Sequence, residues 1–458
     1  MCYNKNMDDK PNFVTGLDVG TDNVRAVIGA LKDGKLFIYG YNEGKSAGMR
    51  KGIPANLNGP ARSIDIMLGE AERMGDYDVR SAYVSINGSQ ILSTHTEGMI
   101  AVVSNSADHE INGEDMDRVE DVAVTSCISA NRDVLDVVPL EYAIDGQGGI
   151  KDPIGMSGAR LEMRANVISA LTPNCDHLRK ATEHAEVHAE RLIPSVVAAG
   201  KAVLTDKQKE NGVAVIDMGA ATTSVAVYEE GDLQYVGVVP AGSNNITNDL
   251  AILLAIDPDM AEDIKTRFVT GDFDSEKSPI IRIGGKEKGH ERNFDRKEVD
   301  AVVKARLEEI FGEVRKKLKA AKYDQRLPEG IILTGGGARM RDIELFAKKA
   351  MEASVKIGIP INVAGVSDAV ERPEFAAAVG LAQIAAEDQI YATNSSKPQK
   401  KSKKAKKSAK QSPGFFKKIF SKFWLKSQSP ISPLKNLSNS SIIYYKYIKK
   451  RGYYYARS

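Results

Sequence analysis

Two stretches of this chain, about 200 residues apart, repeat the same order of residue types. FVTGLDVGTDNVRAVIGA, Phe13 to Ala30, and VAVIDMGAATTSVAVY, Val213 to Tyr228, each run from apolar β-formers into an aspartate, turn through glycine and threonine, and resume as a second β-rich run. Small residues in such a turn bring backbone N–H groups close to phosphate oxygens, and an aspartate at the strand end can hold Mg²⁺ through water. One such hairpin is ordinarily a plain turn; two of them suit a clamp closing on a phosphate chain from both sides. A third stretch, IILTGGGARM from Ile331 to Met340, is a buried-type strand followed by three glycines and the helix-like RDIELFAKKAM. Glycines there let backbone lie flat against a base and sugar, although a lone glycine triplet is by default a loop.

These residues need strands to aim them and helices to cover the strands. Hairpin, hairpin, then glycine turn is the order found in the actin-like nucleotide-binding superfamily, which includes actin, Hsp70 and the sugar kinases. The chain resembles that α/β fold: two α/β domains facing each other across a nucleotide cleft.

The chain's 458 residues allow two to four domains, and 42% hydrophobic with 27% charged residues is an ordinary globular balance. No run of 18 apolar residues is long enough to span a bilayer, and MCYNKNMDDKPN lacks the apolar stretch of a signal peptide, so a cytoplasmic protein is expected. Cys2, Cys127 and Cys175 have no metal-ligand spacing and read as reduced thiols. The net charge of +2 hides a division: 18 Lys and Arg but no acid follow Ser396, which leaves −16 on the residues before. Seven lysines between Lys400 and Lys410 form a stretch too polar to fold alone, and residues 387–412 are expected to be a basic linker.

Directly after it, SPGFFKKIFSKFW places Phe415, Phe416, Ile419, Phe420, Phe423 and Trp424 on one half of a helical wheel and Lys417, Lys418 and Lys422 with Ser421 on the other. A helix this short is marginal in water and needs a surface. A protein groove is one such surface and an anionic leaflet the other; the polybasic run beside the helix favours the leaflet, since anchoring typically takes two signals. Residues 413–426 are therefore expected to bind an anionic membrane surface, and no nucleic-acid partner is expected. Residues 427–458, with six of the sixteen tyrosines, form a low-complexity extension.

VPLEYAIDGQGGIKDPIGMSGARLE, Val138 to Glu162, VVPAGSNNITNDLAILL, Val238 to Leu254, and the terminal amphipathic helix closely resemble the bacterial cell-division FtsA family. The resemblance implies a first actin-like domain at residues 11–85 and 170–210, an inserted self-association subdomain at 86–169, a second actin-like domain at 211–242 and 328–386, and a small subdomain at 243–327 that receives the C-terminal peptide of the tubulin-like FtsZ. It implies ATP and Mg²⁺ held by Asp18, Gly20, Thr21 and Asn23 in the first loop, by Asp217, Gly219, Thr222 and Thr223 in the second, by Gly335, Gly336 and Gly337 at the adenosine and by Glu262 and Lys265 at the ribose, with Asp18 and Asp217 holding the metal through water. The charged contact pair for the FtsZ peptide falls on Arg306 and Glu309, on one face of the helix KEVDAVVKARLEEIFGEVRKKL. A peripheral protein on the cytoplasmic face of the membrane at the division site follows.

Two departures bear on turnover. Relatives usually read Gly-Gly-Gly-Thr-Thr-Asp at the second loop, where this chain has Gly219-Ala220-Ala221-Thr222-Thr223-Ser224. Pro194 aligns with the Glu or Gln that orients the attacking water in good ATPases. Binding with slow hydrolysis at most is expected, so a sugar-kinase or chaperone-type ATPase is the weaker reading, as is the actin-like ATP-binding protein of type IV pilus assembly. His184 and His188, four apart in EHAEVHAE, lack a third ligand and read as an exposed helix face.

Overall fold

The structure, a computed structural model, describes residues 11–102, 110–275, 277–284, 291–323 and 326–395. The residues expected to form a membrane-binding helix, Phe415, Phe416, Lys417, Lys418, Ile419, Phe420, Lys422, Phe423 and Trp424, and the extension beyond them, lie outside the described residues.

Both hairpins form, and they close in the same way. Val14–Val19 pairs antiparallel with Asn23–Lys32 up to Val19 opposite Val24, and the Gly20 N–H donates to the Asn23 carbonyl at 3.0 Å, leaving Thr21-Asp22 as the turn. Val213–Met218 pairs with Thr223–Glu229 up to Met218 opposite Thr223, and the Gly219 N–H donates to the Thr222 carbonyl at 2.9 Å, leaving Ala220-Ala221. Each hairpin gains a third antiparallel strand, Lys35–Lys45 or Asp232–Val239, on its outer side. On its inner side each gains two parallel strands, Ser81–Ile86 then His188–Pro194, or Ile331–Thr334 then Val355–Ile357. The two sheets thus repeat one topology, the doubled α/β architecture of the actin-like fold. Parallel strands are buried on both faces: Val213 and Val215 join a core shared with the first sheet, while Ala214, Ile216 and Met218 enter the core of the second half.

The insert follows Ser81–Ile86 as a four-stranded antiparallel sheet, in the order Leu92–Ala101, Arg160–Leu171, Arg132–Ile144, Gln147–Ile150, covered by the helix Gly113–Cys127. Asn112 caps that helix by accepting from the Glu114 and Asp115 N–H groups, and Asp115 reciprocates to the Asn112 N–H. In the second half, Ser243–Leu254, Pro258–Phe268 and Arg296–Ala320 pack together, the last through Val299, Val303, Leu307, Ile310, Phe311, Val314 and Leu318 at three- and four-residue steps.

The chain returns from the second half to the first. Val363–Gly365 pairs with the edge strand Lys35–Lys45, and the helix Ala376–Ser395 crosses the strand Val14–Val19 and the helix Ser195–Val203 at very close range. A methyl on Gly380 would sit 1.7 Å from the Ala198 carbonyl oxygen, and one on Gly16 would sit 2.1 Å from that of Ala378.

Two expectations need correction. The stretch read as linker from residue 387 is helical through Ser395; Asp388 accepts from the Tyr83 hydroxyl at 2.7 Å and pairs with Arg191, which ties the helix at that residue to the first sheet. His184 and His188 do not share a helix: His184 ends the helix Thr172–His184, and His188 begins the strand His188–Pro194. No group of three His, Cys, Asp or Glu that could hold a metal occurs among the described residues, nor is any described helix long and apolar enough to cross a membrane.

The close crossing yields a paired expectation. Gly380→Ala should lower stability by about 2 kcal/mol or more through overpacking. Gly69→Ala, in the helix Asn58–Gly75 with open space around it, should raise stability by up to about 1 kcal/mol. Urea unfolding of the two variants checks this, and a Gly380→Ala chain as stable as the parent would contradict the packing.

Candidate functional site

Asp18 and Asp217 occupy equivalent positions, each one residue before the end of its strand, and the charge of Asp18 bears on Asp217. Asp18 accepts from the Ser85 hydroxyl at 2.7 Å and has the Arg25 guanidinium 3.9 Å away, yet keeps 13% of its side chain exposed. Burial raises its carboxyl above the ordinary range, against the pull of Arg25 and Ser85. Asp217 accepts from the Ser195 hydroxyl at 3.0 Å. Burial first, then the charge of Asp18, pushes its carboxyl up to about 6. Two carboxylates in a poorly solvated place repel, and a divalent cation with oxygen ligands is the partner that relieves both.

The turns are fixed from outside. Thr21 accepts the Gly52 N–H at 2.9 Å, and Asn23 donates to Asp22 at 3.2 Å, whose carboxylate also meets Lys45 at 3.0 Å. At the second turn the first N–H groups of the helix Ser243–Leu254 point at the hairpin: Ser243 donates to the Gly219 carbonyl at 2.9 Å and Asn244 to that of Ala220 at 2.7 Å. A methyl on Gly242 would lie 2.6 Å from the Gly219 carbonyl, so glycine is needed at this junction. Thr222 is buried, and the fully buried Thr223 donates its hydroxyl to the Ala241 carbonyl at 2.8 Å, so that hydroxyl faces the core.

The glycine turn divides its labour. Gly335 has φ +86°, and a methyl there would sit 2.3 Å from Asp217 Oδ1; one on Gly337 would strike Met218 Cγ at 2.5 Å. A methyl on Gly336 meets nothing within 4 Å. Two glycines are therefore demanded by packing, and the middle one borders open space. The turn is tied to the returning chain by the Gly335 N–H, which donates to the Pro373 carbonyl at 3.1 Å. A run of alternating charges joins both halves here: Arg25 to Glu43 at 3.2 Å, Glu43 to Arg372 at 2.6 Å, Arg372 to Glu374 at 3.2 Å and Glu374 to Arg339 at 3.1 Å.

Glu262 and Lys265 stand on the helix Pro258–Phe268. Lys265 reaches Glu262 at 2.6 Å and the Thr247 hydroxyl at 2.9 Å, and that hydroxyl donates to Glu262 at 2.6 Å. Lys265 is buried and already partnered, whereas Glu262 is more exposed. Pro194 ends its strand beside Ile86, with no side-chain donor or acceptor; its neighbour Ser195 makes the contact to Asp217. Ser85, Asn87 and Ser195, missed from the sequence, and Ser224, read there only as a departure from the relatives' loop, make hydrogen bonds around the two aspartates.

Arg306 and Glu309 meet at 2.6 Å on the helix Arg296–Ala320, and Arg306 also makes a two-pronged pair with Asp249 at 2.6 and 2.9 Å. Beside them a groove of about 350 Å³ is lined by Asp249, Ile252, Leu253, Val302, Ala305 and the pair itself. Ile252 is 80% exposed and Leu253 49%, high values for large aliphatic side chains. The signal in the sequence was a surplus: LAILLAI has more apolar residues than one buried helix face can use.

Known proteins match this arrangement. A family model described as cell division protein FtsA matches residues 214–380, and one described as the SHS2 domain inserted in FtsA matches residues 88–169. The cell division protein FtsA of Neisseria meningitidis is 34% identical over 378 residues, which is 82% of this chain and 90% of that protein. Those of Pseudomonas aeruginosa and Escherichia coli K12 are 32% and 31% identical, each across 81% of this chain and 88% and 89% of their own lengths. Among solved structures, a PilM-PilN type IV pilus biogenesis complex is similar in fold, with a TM-score of 0.60 at 17% identity, over 81% of this chain and 98% of that one.

The raised carboxyls fix a sign. A folded-state value above the unfolded one of about 3.9 means the folded chain holds the proton more tightly, so this contribution to stability is complete below about pH 4 and is lost as pH rises through about 6. Asp217→Asn should remove that loss. The difference in unfolding midpoint between variant and parent should grow in the variant's favour from pH about 4.5 to about 7; a difference that is flat with pH would contradict the burial of this charge.

Proposed function

The chain belongs to the FtsA family of cell division proteins, and on that premise we propose that it is an ATP-binding scaffold that self-associates on the inner membrane leaflet and ties FtsZ filaments to the membrane at the division site. ATP lies between the two hairpins in this reading. Gly20, Thr21 and Asn23 in one turn and Gly219, Thr222 and Thr223 in the other border its phosphates, Thr223 through its backbone. The base and sugar lie over Gly335, Gly336 and Gly337, towards Glu262 and Lys265. Asp18 and Asp217 hold Mg²⁺ through water; their repulsion and oxygen donors fit such a cation, which would supply neutralisation of phosphate charge. Pro194 can orient no water, so hydrolysis is slow, with turnover below about 1 s⁻¹.

The insert, residues 86–169, is the self-association module, and the subdomain 243–327 receives the FtsZ C-terminal peptide. The observation that carries the partner assignment is the groove where Arg306 and Glu309 border the exposed Ile252 and Leu253. An apolar anchor in such a groove, with a charged rim to set register, is a common way to hold a peptide. Residues 413–426 are the membrane anchor. The pilus-assembly reading retains only the shared fold.

Two measurements test this. Fluorescence anisotropy of a labelled FtsZ tail peptide should show binding weakened at least about tenfold by Arg306→Glu and by Ile252→Asp; Ile252 is so exposed that its change leaves the fold alone. Unaltered binding by both variants would remove the partner site from this groove. In flotation on anionic vesicles, the chain ended after Gln411 should stay at the bottom while the full chain floats, and equal flotation would remove the anchor.

A further inference from the structure

Asn87, at the junction where the first sheet passes into the insert, touches both halves of the molecule. Its Nδ2 donates to Ser195 Oγ at 3.0 Å, and that hydroxyl donates to Asp217 Oδ2 at 3.0 Å. Its Oδ1 accepts from Ser224 Oγ at 3.1 Å and from the Gly88 N–H at 2.8 Å. The Gly88 N–H can only donate, so it fixes which end of the amide is the oxygen. Asp217 and Ser224 are cross-strand partners on the second hairpin. That hairpin thus presents an acceptor and a donor side by side, and Asn87 with Ser195, both from the first half, close between them. The run has one direction, Ser224 to Asn87 to Ser195 to Asp217, and each donor polarises the next towards the carboxylate.

The same residue anchors the insert. Gln90 donates to the Asn87 carbonyl at 2.9 Å, and Arg132 donates to the Gln90 carbonyl at 2.6 Å and to Ser169 Oγ at 3.0 Å, which ties together the two ends of the inserted segment. Further out, the fully buried Asn166 donates to the Leu233 carbonyl at 2.9 Å, and Lys151 meets Asp232 at 2.8 Å, both on the second sheet's edge strand. The insert is therefore joined to the second half at its base through Asn87 and along its flank through Asn166 and Lys151.

We propose that Asn87 is a positioning residue of the cleft: together with Ser224 it aims Asp217 and makes the approach of the two halves mechanically continuous with the base of the insert. This rests on the reading of the cleft as a Mg²⁺-nucleotide site. Separating the halves here breaks the Ser224–Asn87 and Ser195–Asp217 bonds together, and the Gly88 N–H, bonded to the same amide oxygen as Ser224, is the first group of the insert's base to feel the loss.

The experiment uses the full chain and ATP, with affinity measured by calorimetry in Mg²⁺ and in EDTA. Asn87→Ala and Ser224→Ala should weaken binding about tenfold in Mg²⁺ and by no more than about twofold in EDTA, because the clasp acts through Asp217. Ser224→Thr keeps the hydroxyl and should stay within about threefold of the parent. Hydrogen exchange supplies a second readout: MgATP should slow exchange across residues 88–92 in the parent, and Ser224→Ala, a change outside the insert, should abolish that slowing. If Asn87→Ala does not fold, Ser224→Ala carries both tests. Variants that match the parent in Mg²⁺, that lose affinity equally in EDTA, or that keep the protection of residues 88–92 overturn the clasp. A parent chain that binds no nucleotide in either buffer overturns the cleft reading itself.

Discussion

Asp18 and Asp217 end two equivalent strands near enough for the charge of one to raise the proton affinity of the other. Like charges brought together away from water must be neutralised, oriented or protonated. Their surroundings do the second: Ser85 and Ser195 each donate one hydroxyl, and Arg25 leans towards Asp18 while held by Glu43. The hydroxyls fix where the carboxylates point without cancelling their charge. The site is preorganised around an electrostatic deficit of a kind that a cation with oxygen ligands would relieve.

The duplicated topology explains why the deficit sits where it does. Identical hairpin closures bring two Asp-x-Gly turns to matching places, but each turn is held differently. The first is pinned by side chains, Gly52 to Thr21 and Lys45 to Asp22, while the second is pinned by a helix N-terminus that donates to the Gly219 and Ala220 carbonyls. Those helix N–H groups hold the loop itself. An anion placed at the second turn would therefore have to draw on N–H groups other than those two.

Much of the framework was legible because the signals are local. Apolar runs with Asp-x-Gly turns gave the hairpins, and their recurrence after 200 residues gave the doubled fold. The roles of Gly335 and Gly337 in packing were not legible, since each depends on Asp217 and Met218 from a strand over 100 residues earlier. Asn87 and Ser195 are 108 residues apart, Asn87 and Ser224 are 137 apart, and neither pair has a sequence signature. Thr223, matched to the family's second phosphate loop, turns its hydroxyl to the Ala241 carbonyl, a placement set by strand register that the sequence did not display. The helix past residue 386 was missed because Asp388 on it is anchored by Tyr83 and Arg191, 305 and 197 positions away.

Arg306 already holds Asp249 with both prongs of its guanidinium. Glu309 takes a third N–H of the same guanidinium at 2.6 Å, so any further acidic group at this rim would compete with an internal carboxylate, and its net gain would be a difference between two similar pairs. Such an exchange favours short residence times over tight capture.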